Sequence, residues 1–96
     1  MRHAAKVDGN HAEIVKRFRQ YGWSVLSLAA IGKGCPDLLA SRGATMFLVE
    51  VKMPKGKTNA LQRLWHSTWN GPVVVVRSVE DVDALVANGK PRVVRI

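Results

Sequence analysis

Two carboxylates in this chain stand where a carboxylate has no ordinary structural reason to be. Asp37 sits in Pro36-Asp37-Leu38-Leu39-Ala40, and Glu50 in Met46-Phe47-Leu48-Val49-Glu50-Val51, both otherwise strongly hydrophobic. Glu80, Asp81 and Asp83 are different: they open a helix-like segment, where negative charge favours the positive end of the helix. Strand side chains alternate faces, so Met46, Leu48, Glu50 and Lys52 share one side while Phe47, Val49 and Val51 share the other. Glu50 and Lys52 therefore point the same way. If the preceding strand is the hairpin partner, Asp37 comes near Glu50, at the end away from the turn. The two carboxylates would repel, and a hard divalent cation such as Mg²⁺, which binds through one or two carboxylates and substrate phosphate, would relieve the repulsion. Such an ion polarises a phosphate and acidifies water, while Lys52 could orient that water or stabilise developing negative charge. These parts suit phosphodiester hydrolysis. A plain reading is equally open at this point: a partly buried Glu50–Lys52 ion pair, with Asp37 capping a turn.

The elements that must position these groups follow from periodicity. Residues 10–21 place Ile14, Val15, Phe18 and Tyr21 on one helical face, with Lys16, Arg17, Arg19 and Gln20 largely opposite. Asn10 suits an N-cap, Glu13 follows at capping-box spacing, and Gly22 suits the helix end. A strand is expected within 23–29. The glycines of 31–36 make a loop, and Pro36 biases Cys35 away from helical angles, so Asp37 enters an extended segment over 37–41. Gly43 marks a hairpin turn into a strand over 45–52. A second helix over 59–70 would carry Leu61, Leu64, Trp65 and Thr68 on one face, capped by Asn59 with Gln62. Val73–Arg77 reads as a buried strand with helices above and below, Ser78–Asn88 as a third helix opened by Ser78 and Asp81, and residues 92–96 as a short closing strand. The expected order is α-β-β-β-α-β-α-β, a mixed α/β sandwich in one domain over residues 1–96.

Fifteen Lys and Arg against seven Asp and Glu give a formal charge of +8. That balance makes a polyanion the leading partner, because neutralised phosphates release counterions. Hydrophobic residues at 47% fit a globular protein, no run is long enough to span a bilayer, and nothing at the N-terminus reads as an export signal. The expected location is cytoplasmic. The single cysteine, Cys35, cannot form an internal disulfide, and His3, His11 and His66 do not join it at zinc-ligand spacing.

Taken together, Glu13, Gly34-Cys35-Pro36-Asp37-Leu38, Glu50-Val51-Lys52 and Gln62 resemble the pattern of the PD-(D/E)XK nuclease superfamily. More closely, the chain resembles the virus-type replication-repair nuclease domain, VRR-NUC, in its small stand-alone phage or bacterial form, over roughly residues 10–88. The resemblance implies a restriction-endonuclease-like mixed sheet flanked by helices. It implies Glu13, Asp37, Glu50 and the carbonyl of Val51 around Mg²⁺ or Mn²⁺, with Lys52 as the catalytic lysine and Gln62 supporting the site. Glu13 and Gln62 each also suit a capping box. Lys33, Arg42, Lys55, Lys57 and Arg63 surround the proposed site in sequence and could hold DNA phosphates, with Gly32 and Gly34 letting backbone approach the strand. Trp65 and Trp69 read as core or dimer interface rather than as stacking partners for bases.

The expectation is thus a metal-dependent endodeoxyribonuclease selecting DNA by shape. Stand-alone members of the family resemble junction resolvases, so a homodimer cutting four-way junctions is expected, since paired cuts need two sites. Flap or nicking nucleases and a non-catalytic DNA-binding module are the alternatives. A protein-interaction domain, betrayed by weak salt dependence, is a further one.

Overall fold

A computed structural model describes residues 9–87. It contains α1 (His11–Gln20), β1 (Ser24–Ser27), β2 (Leu38–Arg42), β3 (Thr45–Val51), α2 (Ala60–Thr68), β4 (Val73–Val76) and α3 (Val79–Ala87). The order agrees with the expected one throughout. The strand expected over 92–96, and the Gly89-Lys90-Pro91 terminator before it, lie outside the described residues.

The sheet runs β1-β2-β3-β4. The first three strands are antiparallel, and β4 lies parallel to β3. Arg42 pairs with Thr45, so Gly43 and Ala44 alone make the β2–β3 turn, and Gly43 takes the positive φ of 59° that such tight hairpins require. A parallel pair cannot be joined by a tight turn, and the connection from β3 to β4 carries α2.

Alternation along the strands sorts two faces. Phe47, Val49 and Val51 of β3, Leu38 and Ala40 of β2, and Val74 and Val76 of β4 pack with Ile14 and Phe18 of α1 and Val82 of α3 in one core. Phe18, Trp23 and Phe47 meet there with ring centroids 5.1–6.4 Å apart. Each fully buried large apolar side chain contributes about 1.5–3 kcal/mol by leaving water, so this face carries most of the stability. Arg17 of α1 and Tyr21, just past its end, bind the Asp83 carboxylate of α3, at 3.0 and 2.8 Å. Asp83 lies beyond the first turn of α3 and ties two helices together, rather than serving the helix end as expected; Asp81 keeps that role, accepting from the Arg77 N–H at 2.8 Å.

The other face carries Leu48, Glu50 and Lys52, with Val73 and Val75 beside them. Helix α2 lies over its Glu50 end, but not by the apolar stripe expected from its sequence. Leu61 and Leu64 are 58% and 64% exposed, and no residue of α2 is fully buried. Of that stripe only Trp65 is half-buried, and Gln62 and His66 turn inward beside it. The reason lies beneath the helix, where Glu50 and Lys52 offer polar groups that Leu side chains cannot satisfy and Gln62 and His66 can.

The capping expectation divides in the same way. Asn59 and Gln62 form the reciprocal box at the start of α2. Asn10 does not cap α1: its side-chain amide donates to the carbonyls of Lys52 and Arg77, at 3.0 and 2.9 Å. Buried carbonyls at the ends of two parallel strands need donors, and Asn10 supplies both.

Candidate active site

The β2–β3 register pairs Leu38 with Val49, and one further step sets Asp37 opposite Glu50. Asp37 caps no turn; its Oδ2 accepts from the Val51 N–H at 2.7 Å, and its own carbonyl accepts from the Leu28 N–H at 2.7 Å. The acid is thereby held at the end of the sheet by two neighbouring segments.

Glu50 is 1% exposed and Lys52 8%. Burying a charge costs several kcal/mol unless partners compensate, so two charged groups inside one sheet face are not there for stability. Their partners come from α2. The Lys52 Nζ donates to Gln62 Oε1 at 2.7 Å, and the Gln62 Nε2 donates to Glu50 Oε2 at 3.4 Å. The same Gln62 Oε1 also accepts the Asn59 N–H at 2.9 Å, so Gln62 is both cap and site residue. One turn on, His66 Nε2 stands 3.5 Å from Glu50 Oε1, its side chain 7% exposed. Burial, and then the Lys52 ammonium, lowers the His66 pKa, so near neutral pH this is a neutral imidazole against a carboxylate rather than an ion pair. Burial, followed by the charges of Glu50 and Asp37, pushes the Cys35 thiol up.

The glycine loop lies against this assembly. Gly34 has φ 86°, and a Cβ there would collide with the carbonyl of Leu61 in the first turn of α2. Only glycine lets the loop before Asp37 and the helix bearing Gln62 approach so closely. Gly34 thus serves packing against α2, whereas Gly32 has open space beside it.

Asp37, Glu50, Val51, Lys52 and Gln62 are brought together. Glu13 is not part of a ready-made cluster: it is exposed on α1, whose Ile14 and Phe18 bury against the opposite face of the sheet. Among the described residues, no three His, Cys, Asp or Glu side chains converge as a cation site. What remains is a pair of opposed carboxylates, and that donor set still fits a hard divalent ion, which commonly takes one or two protein carboxylates and completes its shell with water. Of the basic residues, Lys33, Lys55, Lys57 and Arg63 are exposed on the loops and helix turn around this end. Arg42 is at the hairpin turn, five residues along β2 from Asp37 and so roughly 16 Å away at strand spacing. Sequence reasoning missed Asn10, His66 and Arg77; the last donates to the carbonyls of Met53 and Gly56 and so ties down the loop carrying Lys55. His66 had a usable signal, since it follows Gln62 by one helical turn.

A mixed sheet with α1 and α3 on one face, α2 on the other, and opposed carboxylates followed by a lysine at its end defines a restriction-endonuclease-like nuclease fold. The chain belongs to the archaeal Holliday junction resolvase (Hjc) family, whose profile matches residues 4–63, more than half of its length. Among solved structures it is similar to a VRR_NUC domain at 30% sequence identity and a TM-score of 0.67, over 80% of this chain and 89% of that one. Comparison with curated proteins finds no match.

Proposed function

We propose that the protein is a divalent-cation-dependent endonuclease that cuts branched DNA, four-way junctions above all, as a homodimer. The observation that carries this reading is the buried Glu50, facing Asp37 across β2 and β3, with the Lys52 amine held by Gln62. Membership of a junction-resolvase family supports the substrate, and the charge of +8 supports a polyanionic partner.

In this reading Asp37, Glu50 and the Val51 carbonyl hold Mg²⁺ or Mn²⁺, and Glu13 reaches that ion only through its long side chain or a water. A bound cation supplies Lewis acidity at the scissile phosphate and eases deprotonation of the attacking water. The Lys52 ammonium, fixed by Gln62, places positive charge where the phosphate oxygens gain negative charge. Lys33, Lys55, Lys57 and Arg63 hold the DNA backbone close to the site, and Arg42 takes a phosphate well removed from it. Leu61, Leu64 and Trp69, exposed on and just after α2, provide the apolar surface for a second copy, and a two-fold dimer suits the near-symmetry of a four-way junction.

The test incubates the wild type and Glu50→Gln with labelled four-way junction, flap, nicked and linear DNA in Mg²⁺, Mn²⁺ or EDTA. Cation-dependent cleavage by the wild type, strongest on the junction, with a loss of at least about a hundredfold in the variant and unchanged DNA binding, is expected. Preference for flaps or nicks would reassign the substrate. Binding without cleavage under every condition would make the protein a DNA-binding module.

A further inference from the structure

His66 faces the Glu50 oxygen that Gln62 does not reach. Gln62 and His66 are four residues apart, so they project from one face of α2 on successive turns. Gln62 Nε2 reaches Glu50 Oε2 at 3.4 Å, and His66 Nε2 lies 3.5 Å from Glu50 Oε1. The two oxygens of one buried carboxylate are thus each faced by a nitrogen from the same helix. A carboxylate at the end of a side chain rotates about its last bond unless both oxygens are engaged; here Gln62 donates a hydrogen bond to Oε2, and His66 Nε2 stands against Oε1 at a distance just beyond hydrogen bonding. A histidine used merely to fill space beneath α2 would need no nitrogen aimed at an acid, and burial of a polar ring without such use is costly.

We propose that His66 is a positioning residue for Glu50, fixing the plane of its carboxylate, with Gln62, so that the acid is held in the direction needed for binding a divalent cation. The proposal rests on the reading of Glu50 as a cation ligand. Groups one layer behind a metal ligand typically change metal affinity by about 10–100-fold when removed. They do so by orienting the ligand, without touching metal or substrate themselves. His66 therefore acts on cation affinity first and on cleavage only as a consequence, leaving the DNA-binding lysines untouched.

The experiment measures Mn²⁺ binding to the full chain without DNA, from the paramagnetic resonance signal of free Mn²⁺, for the wild type, His66→Ala, His66→Gln and Glu50→Gln. DNA affinity in EDTA and thermal melting are recorded for each. The expected result is wild-type binding abolished in Glu50→Gln, weakened about 10–100-fold in His66→Ala, and restored to within a few-fold in His66→Gln, which keeps a nitrogen donor of similar reach, with DNA affinity constant throughout. Wild-type Mn²⁺ affinity in a folded His66→Ala would overturn the proposal while leaving Glu50 as a ligand. Should His66→Ala not fold, His66→Asn, whose shorter side chain cannot reach Oε1, carries the same comparison: at least tenfold weaker binding supports the positioning role, and unchanged binding overturns it. Failure of the wild type to bind Mn²⁺, or equal binding by Glu50→Gln, would instead overturn the reading of the site on which the proposal stands.

Discussion

At the scale of single residues, Gln62 shows how one side chain can serve fold and site at once. Its Oε1 accepts both the Asn59 N–H that closes the helix cap and the Lys52 amine, and its Nε2 faces Glu50. The two roles are separable. Asn59→Ala removes the cap's other half and is expected to cost about 1 kcal/mol. For a domain of this size that corresponds to a fall of about 4–8 °C in Tm. Lys52 and Glu50 keep their contacts in that variant, and single-turnover cleavage stays within a few-fold of wild type. Gln62→Ala is expected to lose similar stability but also about 10–100-fold in cleavage, because it frees the lysine and one oxygen of the acid. Equal activity losses in the two variants, measured beside their melting curves, would show that the cap alone positions the site.

At the scale of elements, what matters is how helices are held to the sheet. Gly34 is the point where the loop before Asp37 touches the start of α2. Gly34→Ala combines an unfavourable positive φ with a steric collision, so it should push α2 off the Glu50 end. Cleavage is expected to fall by more than tenfold while the α1–α3 core, on the opposite face, still melts cooperatively; a fully active variant would show that α2 has room to spare. On that opposite face, Tyr21 donates to Asp83, and this bond, with the nearby carboxylate charge, raises the Tyr21 pKa above its ordinary value. A raised pKa means the folded state holds the proton more tightly than the unfolded chain. The stabilising contribution is therefore complete below the unfolded value and is lost as pH rises through the folded one. Tyr21 is the single tyrosine, so phenolate absorbance reports on it directly. Its midpoint should lie above that of free tyrosine and return towards it in Asp83→Asn; coincident titrations in the two proteins would exclude the bond in solution.

At the scale of the whole molecule, the described residues cover one sheet face well and the other in part. The uncovered surface is apolar where Leu61, Leu64 and Trp69 project from and beyond α2, and Leu26 and Met46 project from the strands. Exposed apolar side chains on the helix that also supplies the site are what a dimer would bury while aligning two active centres. Leu64→Lys is expected to convert the proposed dimer to monomer in light scattering, and to replace paired junction cuts by single nicks, without abolishing cation-dependent cleavage. A wild type that is monomeric at assay concentration would remove the dimer from the proposed mechanism.

The sequence by itself determined the seven described elements and their order, because hydrophobic period, proline and glycine punctuation and strand-forming runs are local properties. It also placed Glu50 and Lys52 on one strand face, since alternation is geometric, and set Asp37 near Glu50 through the short hairpin. The seating of α2 was decided only by tertiary structure: its leucines carried the clearest periodic signal, yet the polar groups of Glu50 and Lys52 beneath it select Gln62 and His66 as the inner face. Asn10 was read as a cap because its own helix is near in sequence, whereas the carbonyls of Lys52 and Arg77 that need it are near only in space. Arg42 kept the right charge for its expected role, but strand length sets it apart from the carboxylate pair, while Glu13 is exposed on the first turn of α1. Local chemistry writes the elements and the faces of strands; which face of a helix is buried depends on what lies opposite, and that is known only once the chain has folded back on itself.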